Sequence, residues 1–153
     1  MSAAITDARL AAAVWECGRH ATALSGALAQ WHTLPLPSSQ ALEHDETLRR
    51  LTDQILYRFT KLQDAMGERL VPATLGWLRE PCEDWSMRDR LDRLEKLGYL
   101  TTEGWLQWRE VRNRLAHEYP NAEEQRYQAV LSAVAAASAM LSALTHWASK
   151  LPA

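Results

Sequence analysis

The chain has 153 residues, enough for one domain that buries roughly two thirds of its unfolded surface and short for two. Apolar residues make up 47% and charged residues 24%, close to the soluble globular average, which argues against a disordered chain or a membrane class. The net charge of −2 argues against a protein held on nucleic acid by a bulk positive field, so any RNA contact must be focal.

The first apolar run, Leu10 to Trp15, follows Asp7 and Arg9 and is too short for a signal-peptide core or a membrane span. Leu10, Val14, Cys17, Ala21, Leu24, Leu28 and Trp31 then recur at steps of four and three, the seam of a long helix packing nearly parallel to its neighbours. The stretch TLPLPSS at 33–39 breaks that helix, because its prolines cannot continue it and its serines can cap the next. Leu48, Leu51, Ile55, Phe59, Leu62 and Met66 mark the inner face of a second helix, expected to end near Pro72 with a short helical piece after it.

EPCEDWS at 80–86 is the second break, where Ser86 can cap a short third helix, MRDRLDRLEKL, that Gly98 ends. Thr101 or Thr102 can cap a fourth, EGWLQWREVRNRLAHEY, stopped by Pro120. Asn121 is placed to cap the last helix, where Tyr127, Val130, Val134, Ala137, Leu141, Leu144, Ala148 and Leu151 step by three and four. Nothing reads as a strand. The expectation is a single all-α domain, an antiparallel bundle of four to five helices, whose seams also suit pairing with a second copy. Cys17 and Cys82 stand alone, without a C-x-x-C pair or a histidine at metal-ligand spacing, so no disulfide framework, zinc site or other metal is indicated. A reduced, cytoplasmic setting without a membrane follows.

The fourth helix carries the densest chemistry. At about 100° per residue, Trp105, Trp108, Val111, Leu115, Ala116 and Tyr119 fall on one side, and that side should face the core. Arg112 lies inside the same sector and must be paired, stacked or facing a cavity, because burying a lone guanidinium is costly. Asn113 and His117 lie about 100° and 140° round from it. Two readings stand side by side. In one, Arg112 pairs with an acid of a neighbouring helix, His117 occupies a polar last turn and Tyr119 closes the bundle end. In the other, these side chains form a site.

Arg112, His117 and Tyr119 spell R-x4-H-x-Y, and RNRLAHEY on the penultimate long helix of an all-helical chain resembles the HEPN superfamily, in particular its HepT-like toxins encoded beside a small MNT-type nucleotidyltransferase antitoxin. YRFTKLQDAMGERL at 57–70 and MRDRLDRLEKLGYL at 87–100 are similar to that group's second and third helices, so the resemblance covers roughly residues 40 to 125. It implies a homodimeric, metal-independent endoribonuclease without a cofactor, cleaving tRNA or mRNA by attack of the 2'-hydroxyl. His117 would be the general base or acid, Arg112 the phosphate clamp and Asn113 an orienting group. Tyr119 would accept AMP groups from the antitoxin, blocking the site by charge and bulk. The alternative is a non-catalytic subunit that holds a nucleotidyltransferase, its nucleotide or its substrate.

Arg58, Lys61, Asp64 and Arg114 are weaker candidates for RNA or partner contacts; for the first three a solvated or dimer-facing edge is the simpler expectation. The alternating RDRLDRLEK run reads as a face of paired charges. Trp15, Trp31, Trp105 and Trp108 are expected at seam or core positions rather than as base-stacking platforms, and His20, His32, His44 and His146 receive no site.

Overall fold

Seven α-helices and one π-helical turn make up the regular structure of the computed structural model, which describes residues 2–117, 120 and 122–152; no strand occurs among them. In chain order these are α1 (Ala3–His32), α2 (Ser39–His44), α3 (Glu46–Ala65), the π turn (Met66–Leu70), α4 (Val71–Trp77), α5 (Met87–Lys96), α6 (Thr102–Leu115) and α7 (Glu123–Ser149). The protein is thus an all-α bundle, with more helical pieces than the four to five expected from sequence. Both differences arise around the second helix.

The first concerns the serines after the proline break. Ser38 does cap a helix, accepting from the Ala41 N–H at 3.1 Å, but it caps the short α2. Asp45 caps α3 instead, accepting from the Leu48 N–H. The second concerns Pro72, which does not end the helix. The Val71 N–H donates to the Met66 carbonyl, a five-residue spacing that widens the ladder just before the proline. Pro72 then lies in the first turn of α4, where a missing N–H and a fixed φ are tolerated. The helical rod therefore runs from Glu46 to Trp77.

Other boundaries follow the sequence reading. Ser86 caps α5 and Thr101 caps α6, each accepting from a backbone N–H at 3.1 Å. Gly98 closes α5 with φ of 84°, where glycine carries no steric penalty. Asn121 lies outside the described residues, and α7 starts at Glu123 after Ala122 in the cap position.

Leu24, Ile55, Phe59, Leu62, Met66, Leu70 and Met140 are fully buried where α1, the α3–α4 rod and α7 meet, and Leu94 is fully buried on α5, which packs on α4 and α6. Trp147 is buried among them, donating its indole N–H to Thr74 Oγ1 at 3.1 Å and packing against Tyr99 at 5.6 Å. Val14 and Trp15 are exposed rather than at the seam, Trp15 by 66%, with Arg19 over its ring. On α7 the buried face runs through Ala133, Val134, Ala136, Ala137, Met140 and Trp147, with Ala148 exposed. Val134 and Ala137 of the expected seam are buried and Tyr127, Val130, Leu141, Leu144 and Leu151 pack on the core partly buried; toward the C-terminus the most buried positions, Met140 and Trp147, lie one residue before the expected ones. By length and composition α7 could also cross a membrane, although no such span was expected; it packs on α1, α2, α3 and α6, and less than a third of its most apolar stretch is buried.

Candidate functional site

Arg112 lies in the last turn of α6 and His117 just beyond its end. This helix forms because Thr101 caps it and Trp105 and Trp108 anchor it, their rings edge-on at 6.3 Å and both buried. It ends earlier than expected. Ala116 is the cap residue, its N–H bonding back to Asn113 and Arg114 carbonyls, and His117 lies one position beyond. Ala116 is exposed, not on the core face, because the chain has already left the helix.

Arg112 is half-buried and faces α3. Its Nη2 lies 2.9 Å from Asp64 Oδ1 and 3.2 Å from Oδ2, an ion pair with both side chains under a third exposed. Its Nη1 makes no hydrogen bond to the described residues, and its buried Nε has no partner among them. One position before Asp64, Gln63 is fully buried and both its amide atoms also lack partners. Buried polar atoms left in this condition are uncommon and mark a place for a bound water or a ligand atom. Nothing in the sequence singles out Gln63, because it falls among polar residues of an amphipathic helix.

His117 is exposed and lines a cleft of about 440 Å³ with Leu56, Arg114, Leu115, Pro120, Arg126 and residues of α7. Arg112 reaches α3 at Asp64, whereas His117 shares its cleft with Leu56, two turns or roughly 12 Å away along that helix. Arg126, which sequence reasoning missed, enters this cleft from α7 and is held by Glu43 at 2.7 Å. Its signal was weak, since one arginine near the start of a helix is unremarkable by pattern.

The remaining candidates divide. Asn113 is exposed away from the cleft lining, and Arg114 lines the cleft while pairing with Glu110 at 3.4 Å. Arg58 is half-buried, its Nη1 bonded to His20 Nδ1 at 3.0 Å, and it and Lys61 flank the exposed Tyr57 ring at 5.5 and 5.7 Å. His20, given no site from sequence, is a buried neutral acceptor; burial and then the Arg58 charge hold its pKa below the usual value. Asp64 is the acid that the paired reading of Arg112 required. Tyr119 lies outside the described residues.

Of the described residues, no group of three or more His, Cys, Asp or Glu could hold a metal ion. The arrangement offers cationic and imidazole groups to an anion: a guanidinium with donors to spare and a histidine between two further arginines. No protein-family model, curated protein or solved structure matches the chain.

Proposed function

We propose that the chain is the toxin of a HEPN/MNT toxin-antitoxin pair, a homodimeric endoribonuclease that cleaves RNA without a metal through Arg112 and His117. The observation that carries this reading is the complete R-x4-H-x-Y set in the sequence, Arg112, His117 and Tyr119, with Arg112 in the last turn of an α6 that packs into an all-helical bundle. His117 removes the proton of the 2'-hydroxyl beside the scissile phosphate or supplies one to the leaving oxygen. Arg112 donates to the phosphate oxygens as charge accumulates there, with Asp64 fixing the guanidinium plane. A second protomer completes the cleft, and AMP transfer to Tyr119 by the antitoxin closes it.

The deciding experiment incubates total cellular RNA with the purified chain in the presence of a chelator, beside His117→Ala. Fragments with cyclic-phosphate ends that disappear in the variant are expected. Full cleavage by His117→Ala would refute the mechanism.

The Arg112–Asp64 pair favours a second reading, because an arginine already engaged by a carboxylate is a weaker phosphate clamp. On this reading the protein is a non-catalytic subunit that holds a nucleotidyltransferase, its nucleotide or its substrate. Intact RNA, together with retention of a nucleotidyltransferase by the folded chain, would select it.

A further inference from the structure

We infer that a second cleft, between α1, α4 and the connector to α5, binds an organic anion with an apolar body. This goes beyond the proposed activity and shares no lining residue with the His117 cleft. Its volume is about 590 Å³, within the range of roughly 300–1,000 Å³ typical of small-molecule sites. It exists because α5 packs on α4 and α6 but not on α1, leaving a wedge. Ala12, Ala13, Ala73 and Gly76 line the wedge, all too small to fill it, and a Cβ at Gly76 would meet nothing within 4 Å.

The lining carries four arginines and four glutamates, and Arg93, which engages Glu80 from outside the lining, leaves one cation in excess. Glu16 is taken by Arg69 at 3.0 Å and Glu80 by Arg93 at 2.8 Å, so two of the four lining glutamates are neutralised. Arg90 is oriented by the Cys82 and Glu83 carbonyls, at 3.2 and 3.1 Å. The Arg9 and Arg79 guanidiniums meet no carboxylate among the described residues. Three guanidiniums thus face two remaining acids, Glu68 and Glu83, which favours a ligand carrying one negative head group.

The backbone carries an independent sign. The helices α4 and α5 end in the same motif, with Glu80 N–H reaching the Leu75 carbonyl and Tyr99 N–H reaching the Leu94 carbonyl. At the left-handed position α5 has Gly98, as the geometry favours, whereas α4 has Arg79 with φ of 61°. An arginine is strained there, and its side chain lines the cleft. The π turn supplies the opposite wall through Glu68 and Arg69, and such turns are frequent at functional sites.

The test titrates the purified full-length chain with anilinonaphthalene sulfonate, whose rings and sulfonate match this chemistry, beside neutral phenylnaphthylamine. Saturation at one sulfonate dye per chain is expected, with the neutral dye about tenfold weaker. Arg79→Gly should raise the Tm, since glycine is at home at positive φ, yet weaken the sulfonate dye by about tenfold. Gly76→Leu should fill the wedge and abolish the signal while the helical circular dichroism is kept. Wild-type affinity in Arg79→Gly, or equal affinity for the two dyes, overturns the inference. The Arg79→Gly arm decides independently of the filled variant.

Discussion

Arg112 of α6 and Asp64 of α3, 48 positions apart in the chain, meet in an ion pair of 2.9 Å that fixes the end of α6 against the central rod. Each side chain is more than two thirds covered, so the pair lies between a screened surface bridge and a fully buried one. Asp64→Ala leaves a covered guanidinium without its acid and should cost about 2 kcal/mol. Arg112→Met should destabilise as well, because the thioether fills the space but the covered Asp64 carboxylate is left without its cation. In the double variant the costs should fall short of their sum by about 1 kcal/mol. Urea unfolding of the four proteins measures this, and strict additivity would show that the contact contributes nothing.

His20 gives the fold a pH dependence of defined sign. Its pKa is held below the ordinary 6.5 first by burial and then by Arg58, with Arg19 and Lys61 acting the same way and Glu16 opposing them. The neutral ring also accepts the Arg58 hydrogen bond at Nδ1, an arrangement the imidazolium cannot keep. The unfolded chain therefore binds a proton more readily than the folded one. The contribution is present in full above about pH 6.5, is lost as the pH falls from there through the folded value, and then levels off. Urea midpoints taken between about pH 7.5 and pH 5.5 should fall more steeply for the wild type than for His20→Gln, whose amide oxygen can still accept from Arg58. Equal slopes would remove His20 from the account.

These two contacts also show where sequence reading reached. Cap chemistry was legible at Ser86, Thr101 and Gly98, because each acts on backbone groups only three or four positions away. The inner face of α3 was legible because Leu51, Ile55, Phe59 and Leu62 contrast strongly with their polar neighbours. The partner of Arg112 was legible in kind, an acid from another helix, but Asp64 could be chosen only once α3 and α6 were placed side by side. The π turn that carries the rod past Pro72 had no local signal, since Met66–Leu70 reads equally well as ordinary α-helix. The seam of α7 was legible in Val134 and Ala137 and in the partly buried Tyr127, Val130, Leu141, Leu144 and Leu151, whereas Met140 and Trp147, its most buried residues toward the C-terminus, were not picked out. Within the candidate site, Arg112 and His117 were marked by the motif, whereas Arg126 and Gln63 acquire meaning only from what lies opposite them.

The π turn also lies against the Trp105 ring of α6, and glycine substitutions test that contact. A Cβ added at Gly67 would meet Trp105 Cζ2 at 3.0 Å and Cη2 at 3.3 Å, and this indole is buried with Trp108 packed against it. Trp105 and Arg112 are two turns apart on one side of α6, so Gly67 and Asp64 are two points at which the rod meets that side of the motif helix, whose most extensive packing is on α7. Gly67→Ala gains about 1 kcal/mol of helix propensity but overpacks this contact at a cost of about 1–3 kcal/mol, for a net loss of about 1 kcal/mol. Gly18, in the middle of α1, is the control: a Cβ there meets nothing within 4 Å, so Gly18→Ala should stabilise by about 1 kcal/mol. For a chain of this length the two variants should move the Tm in opposite directions by about 2–4 °C each, read by circular dichroism. If Gly67→Ala rose together with Gly18→Ala, the contact between the π turn and Trp105 would not be a tight one.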